Sequence, residues 1–255
     1  MSVPTPFPLK KLLACAAACA ALWSAPAHAL RPFEGTDASV AEPGVFELEL
    51  GPLSYTRFGG QRSIAAPSVV GNFGFGGDFE VVIEGKLNRT IGRPEEGYRT
   101  SAGDTALSIK HVLRKGSLQE GGTGASVAME CGLLLPEYHG NSQTGGLCSG
   151  IVSQKFDFGV VHLNGALSRT REHTQNRFLG VIAEGGTEES ELRPVMELFA
   201  ERENNGLHTQ SALVGMLWRH SDDLVFDVAV RHARSDGLSL NEVKFGLTWS
   251  YAMHK

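Results

Sequence analysis

The feature that most constrains this chain is a hydrophobic period of two, repeated in segment after segment. Near the C-terminus Val243, Phe245, Leu247, Trp249 and Tyr251 alternate with Glu242, Lys244, Gly246, Thr248 and Ser250. Leu224, Phe226, Val228 and Val230 alternate with Asp227, Ala229 and Arg231 in the same way. So do Phe46, Leu48 and Leu50 with Glu47 and Glu49, and Phe79, Val81, Ile83 and Leu87 with Glu80, Glu84 and Lys86. A helix would scatter these side chains around its axis, whereas a strand sends them to opposite faces. The pattern predicts about twelve strands, near 45–57, 64–75, 79–88, 104–114, 125–135, 146–156, 159–169, 177–185, 192–203, 209–219, 224–234 and 241–252. Most are about ten residues long, the length of a tilted transmembrane strand and roughly twice that of an ordinary soluble one.

The N-terminus stands apart from this pattern. Lys10 and Lys11 precede an apolar run from Leu12 to Trp23, and Ala27-His28-Ala29 supplies small residues for cleavage after Ala29. The run is too short to span a bilayer as a helix. Leu12-Leu13-Ala14-Cys15 resembles a lipobox, but almost no apolar stretch separates Lys11 from Cys15, so signal-peptidase cleavage is the preferred reading. The expected organisation is a signal peptide over 1–29, a periplasmic N-terminal leader over 30–44 and a barrel over 45–255. Losing Lys10 and Lys11 moves the formal charge from −5 to −7, which argues against a nucleic-acid partner. Hydrophobic residues at 42% and aromatics at 8% suit a soluble protein and a membrane barrel alike, because only one face of each barrel strand meets lipid.

Alternation alone does not say which face is inside. In a soluble antiparallel barrel or sandwich the apolar face packs inward. Strand length, aromatics placed near strand ends (Phe58, Trp218, Trp249, Tyr251) and an apolar face on nearly every segment favour lipid outside. Every backbone group in lipid needs an internal partner, so such strands must close on themselves. The expected fold is therefore all-β: a closed antiparallel transmembrane β-barrel of about twelve strands in the outer membrane, reached after export through the periplasm. Phe226, Val228, Phe245, Leu247, Trp249 and Tyr251 would face lipid. Glu47, Glu49, Glu80, Glu84, Lys86, Lys110, Arg114, Glu130, His162, Glu197, Glu201, Asp227, Arg231 and Lys244 would line the lumen. Gly76-Gly77-Asp78, Asp157 and 219–223 read as short inner turns, and 89–102 and 136–145 as longer outer loops. The stretch 115–124 is long for an inner turn.

Several short motifs together resemble the outer-membrane transporter family named for the meta-pathway of phenol degradation. They are Arg31-Pro32-Phe33, Thr36-Asp37-Ala38, Glu42-Pro43-Gly44, Phe46-Glu47-Leu48-Glu49-Leu50-Gly51, Pro67-Ser68-Val69-Val70, Gly74-Phe75-Gly76-Gly77-Asp78-Phe79-Glu80, Gly103-Asp104 with Lys110-His111, and Leu133-Leu134-Leu135-Pro136. The resemblance covers the first half of the mature chain. It departs at Ala38, where the family favours a second Asp. What it implies is an outer-membrane barrel linked to uptake of aromatic or other apolar compounds. Lys244, Gly246, Trp249 and Tyr251 also resemble the C-terminal signal read by the barrel-insertion machinery, although the chain runs on through Ala252-Met253-His254-Lys255 instead of ending in an aromatic.

Catalytic chemistry is not expected. None of the nine His is followed two residues later by Ser, the spacing that would put base and nucleophile on one strand face. His162 and Ser168 share a phase but lie too far apart along a strand to meet. His-Glu-x-x-His and Cys-x-x-Cys spacings are absent, and Gly121-Gly122-Thr123-Gly124 lacks the Lys-Ser/Thr of a phosphate loop, so no metal or cofactor is expected. Cys131 and Cys148 are equidistant from the loop between them; they are either a cross-strand disulfide or two thiols on a strand face. The acid-rich lumen points to a passive, cation-favouring channel for small solutes, with outer-membrane lipid around it. A plugged structural or binding barrel that acts through its outer loops, and a soluble periplasmic β-protein, are the alternatives.

Overall fold

The computed structural model describes residues 31–93, 98–187 and 189–253. The expected signal peptide lies outside the described residues. The described chain contains β1 (Val45–Phe58), β2 (Gln61–Gly76), β3 (Phe79–Ile91), β4 (Thr100–Arg114), β5 (Ser126–Leu134) and β6 (Gly145–Phe156). It continues through β7 (Gly159–Arg169), β8 (Gln175–Gly185), β9 (Leu192–Glu203), β10 (His208–Arg219), β11 (Leu224–Ser235) and β12 (Leu238–Ala252). Each strand pairs antiparallel with its neighbours in sequence, and β1 pairs with β12, so the sheet closes and no edge is left.

The two faces separate as the alternation demands. On β9, Leu192, Met196 and Leu198 point outward with roughly half their surface exposed, while Arg193, Val195, Glu197 and Phe199 are buried. On β11 and β12, Val228, Val230, Phe245, Trp249 and Tyr251 form an exposed apolar outer face, with Phe226 and Leu247 half-buried beside them. Asp227, Glu242, Thr248 and Ser250 are buried inside. A Lys or Arg on that outer row would cost roughly 2–4 kcal/mol at mid-bilayer, whereas the same group inside finds partners and water.

Turn chemistry follows the residues. Gly77 and Asp78 both hold positive φ (63° and 62°) in the two-residue turn from β2 to β3, and Asp236 and Gly237 do the same (48° and 82°) between β11 and β12. That is the backbone a tight hairpin needs to match strand twist. The expected contrast between short inner turns and long outer loops holds only in part. At the end away from the termini, 92–99 and 135–144 are long, but Gly59-Gly60 and Asp236-Gly237 are tight turns; at the termini end 115–125 is long.

Bulges shift two residues from their expected faces. The register slips between Leu50 and Leu53, so the inward phase passes from Glu47 and Glu49 to Ser54, Thr56 and Phe58. Phe58, expected in an aromatic girdle, lines the interior cavity instead. A second slip between Val112 and Arg114 pairs Arg114 with Val127, whose face carries exposed Met129 and Leu133. Arg114, expected in the lumen, therefore ends β4 exposed on the other phase.

Candidate functional site: a lumen floored by the leader

The leader is not a free segment ahead of β1. Residues 31–44 run into the barrel and dock on its inner wall. Gly44 donates to the Gly74 carbonyl of β2 (2.8 Å), but the residues before it form no strand or helix, so their backbone N–H groups take acceptors from side chains. Glu34 and Gly35 donate to the Glu197 carboxylate (3.1 and 2.8 Å), and Thr36 donates to Asn164 Oδ1 (2.9 Å). Ala38 donates to Ser153 Oγ (2.9 Å) and Ala41 to Glu80 Oε2 (2.6 Å). Strands from opposite sides of the barrel are thereby tied to one short peptide. The wall side chains that accept these bonds alternate inward on β3, β6, β7 and β9.

Ion pairs complete the docking. Arg31 Nε lies 3.3 Å from Asp227 Oδ2, and its other nitrogens reach Ser68 Oγ and the Phe245 carbonyl. Glu34 Oε1 accepts from both Arg231 Nη1 (2.7 Å) and Lys244 Nζ (2.6 Å). Lys110, with its side chain 2% exposed, sits 3.2 Å from Asp37 Oδ1 and donates to Thr36 Oγ1 at 3.1 Å. Glycine opens the space that this requires. A β-carbon at Gly246 would overlap both Arg31 Nε and Asp227 Oδ2.

Above this floor is a cavity of about 590 Å³, lined by Phe33, Glu34, Gly35 and Thr36 of the leader and by the strand ends away from the termini. Glu49, Glu80, Glu84, Lys110, Glu130, Glu201 and Arg231 line it, as do Phe58, Leu134, Leu147, Phe178, Phe199 and Leu240. Counting Glu34, six carboxylates face two bases there. A smaller cavity of about 220 Å³ lies at the termini end, lined by leader residues 39–43, by Gly76–Phe79 and by Leu118–Glu120. The leader thus stands between two chambers.

The remaining expected lumen residues are placed as follows. Glu47 is buried and accepts from Ser250 Oγ (3.0 Å). Lys86 pairs with Asp104. Glu197, Asp227 and Lys244 hold the leader, as described. His162 is buried between Ser153 Oγ (2.8 Å) and Glu184 Oε1 (3.3 Å), and Arg193 approaches Glu184 at 3.2 Å. A Ser–His–Glu string invites a catalytic reading. However, Ser153 is fully buried, its oxygen is occupied by the Ala38 N–H, and none of the three residues lines either cavity. The string works as a support for the leader. Among the described residues no group of three or more His, Cys, Asp or Glu could hold a metal ion.

Two features lie outside the lumen. Cys131 and Cys148 face each other in the β5–β6 register and are joined as a disulfide, with Cα atoms 4.1 Å apart, on the same outer phase as Met129 and Leu133. At the end away from the termini, Asn141 Nδ2 donates to Glu172 (2.9 Å) and holds that carboxyl below its usual range, linking 135–144 to 170–174.

Sequence reasoning missed the leader's acids. Glu34 and Asp37 lie in an aperiodic segment, and their partners are 210, 197 and 73 positions away. The signal available was the Thr36-Asp37 motif itself, an acid pair-former without a strand to sit on.

The chain matches no sequence-family profile and no curated protein sequence. Solved structures do resemble it. An outer-membrane channel from Pseudomonas putida F1 superposes with a TM-score of 0.62 at 8% identity, over 86% of this chain and 100% of that one. The KdgM porin, solved in complex with disordered oligogalacturonate, gives 0.53 at 12% identity over 80% and 99%. The NanC porin gives 0.53 at 7% identity over 80% and 98%. At such identities the likeness is one of fold, and it agrees with strand count, closure and outward apolar rows: the chain is a closed twelve-stranded antiparallel β-barrel of the architecture found in outer-membrane channels.

Proposed function

We propose that this protein is a non-catalytic outer-membrane barrel that passes small solutes passively, with its leader as the narrow section of the path. The supporting observation is the 590 Å³ chamber inside a closed barrel, walled by carboxylates interleaved with Phe and Leu side chains. That volume falls within the range of small-molecule sites. A wall of this kind favours a small solute that carries positive charge or an apolar body, and disfavours an anion. Uptake of aromatic or apolar compounds, which the resemblance to the phenol meta-pathway transporters implies, is compatible with Phe33, Phe58, Phe178 and Phe199 around the chamber. The exposed outer rows suit outer-membrane lipid, and the signal-peptide reading supplies the route through the periplasm.

Planar-bilayer recording of the purified mature protein tests the proposal. Small, steady currents that favour potassium over chloride are expected. Silence at all voltages and salts, together with ligand binding that is lost on deleting 136–143, would instead make it a plugged binding barrel.

A further inference from the structure

Resting on the channel reading, we infer that Glu34 sets the charge preference of the path by masking Arg231 and Lys244 from the solute. The geometry is specific. One carboxylate oxygen of Glu34 touches both bases, at 2.7 Å from Arg231 Nη1 and 2.6 Å from Lys244 Nζ. Among the described residues the other acid paired with these two bases is Glu242, 2.9 Å from Arg231 Nε and 3.8 Å from Lys244 Nζ. Two acids and two bases form a neutral group. Without the Glu34 charge the group carries one net positive charge at the chamber floor, where the leader narrows the lumen.

The same division of labour extends along the leader. Asp37 covers Lys110, the second base that lines the chamber. Arg31, the leader's own base, is matched to Asp227. By contrast, the ion pairs formed inside the barrel among the described residues take up none of Glu49, Glu84, Glu130 and Glu201. The leader brings carboxylates to the lumen's bases, and chamber carboxylates such as Glu84 and Glu201 are left to meet the solute. A side chain at a constriction acts on an ion at short range with little water between them, so one unmasked base there outweighs a charge elsewhere on the wall.

The experiment is the reversal potential in a potassium chloride gradient for the mature wild type, Glu34→Gln and the double variant Glu34→Gln/Arg231→Gln. The single variant is expected to lower the cation-to-anion permeability ratio by about threefold or more, since one uncompensated charge now faces the path. The double variant restores the charge balance and should return the ratio close to wild type. If Glu34 only anchors the leader, both variants loosen it alike: conductance rises in both and the double variant keeps the single variant's ratio, which overturns the inference. An unchanged ratio in the single variant overturns it too. A wild type that carries no current removes the channel reading and this inference with it, so the two failures are told apart by the wild-type trace.

Discussion

The Asp37 carboxylate of the leader lies 3.2 Å from the Lys110 ammonium of β4, 73 positions later in the chain. Lys110 is almost wholly buried, and removing its acid leaves a charge with Thr36 Oγ1 as its hydrogen-bond acceptor. Breaking one side of a buried pair costs about 3 kcal/mol or more. Asp37→Asn is therefore expected to release the leader before it harms the barrel. Single-channel conductance should rise, while heat-modifiable gel migration, which reports barrel closure, should persist. Unchanged conductance would count against the leader as the narrow section.

Gly246→Val attacks the same docking from the wall. No side chain fits there without displacing Arg31 from Asp227. Protease cleavage within residues 31–41 is expected to become fast in the variant and to stay slow in the wild type. Equal cleavage rates would mean that Arg31 is not held in the glycine-lined slot.

The disulfide gives a chemical test. The purified mature chain contains Cys131 and Cys148 and should show no reactive thiol before reduction and both after it. Closing a loop of this size contributes about 3 kcal/mol in an otherwise unfolded chain. The two strands are already paired by the sheet, so reduction should lower the unfolding temperature of the barrel only slightly. Free thiols in the untreated protein would contradict the Cys131–Cys148 disulfide.

Charge placement discriminates the two faces. Phe245→Lys puts an ammonium on the outer row midway along β12 and should cost roughly 2–4 kcal/mol, seen as lost assembly in urea titrations in liposomes. Glu84→Lys places the same group in the chamber and should assemble normally. Equal losses would deny the difference between lipid and lumen.

Most of the barrel was legible because its strands repeat one physical rule. From Leu224 to Val230 on β11 and from Val243 to Tyr251 on β12 every second residue is apolar, and the predicted 224–234 and 241–252 match Leu224–Ser235 and Leu238–Ala252 closely. Where a bulge adds a residue, the rule fails locally: Phe58 and Arg114 change faces because the register slips at Leu50/Leu53 and Val112/Arg114. Bulges depend on backbone geometry and leave no periodic trace. Loop length failed for a related reason. Asp236-Gly237 closes a tight turn at the end expected to carry long loops, because turn residues fix the connection irrespective of its side of the membrane. The wall of the candidate site was legible as the inward phase, through Glu49, Glu80 and Glu84, but its floor was not. Leader residues such as Glu34 and Gly35 are held by hydrogen bonds to side chains remote in sequence, and no local pattern encodes those.

The central claim is that the apolar rows meet hydrocarbon while the charged rows and the leader share a wet interior. Spin labels at Val228 and Phe245, compared with labels at Glu84 and Ala233, test it most directly in liposomes. The account predicts that the first two labels relax chiefly with oxygen, which dissolves in lipid, and the second two with a water-soluble nickel chelate. The reverse pattern, with Val228 and Phe245 shielded from both reagents inside a packed core, would contradict it.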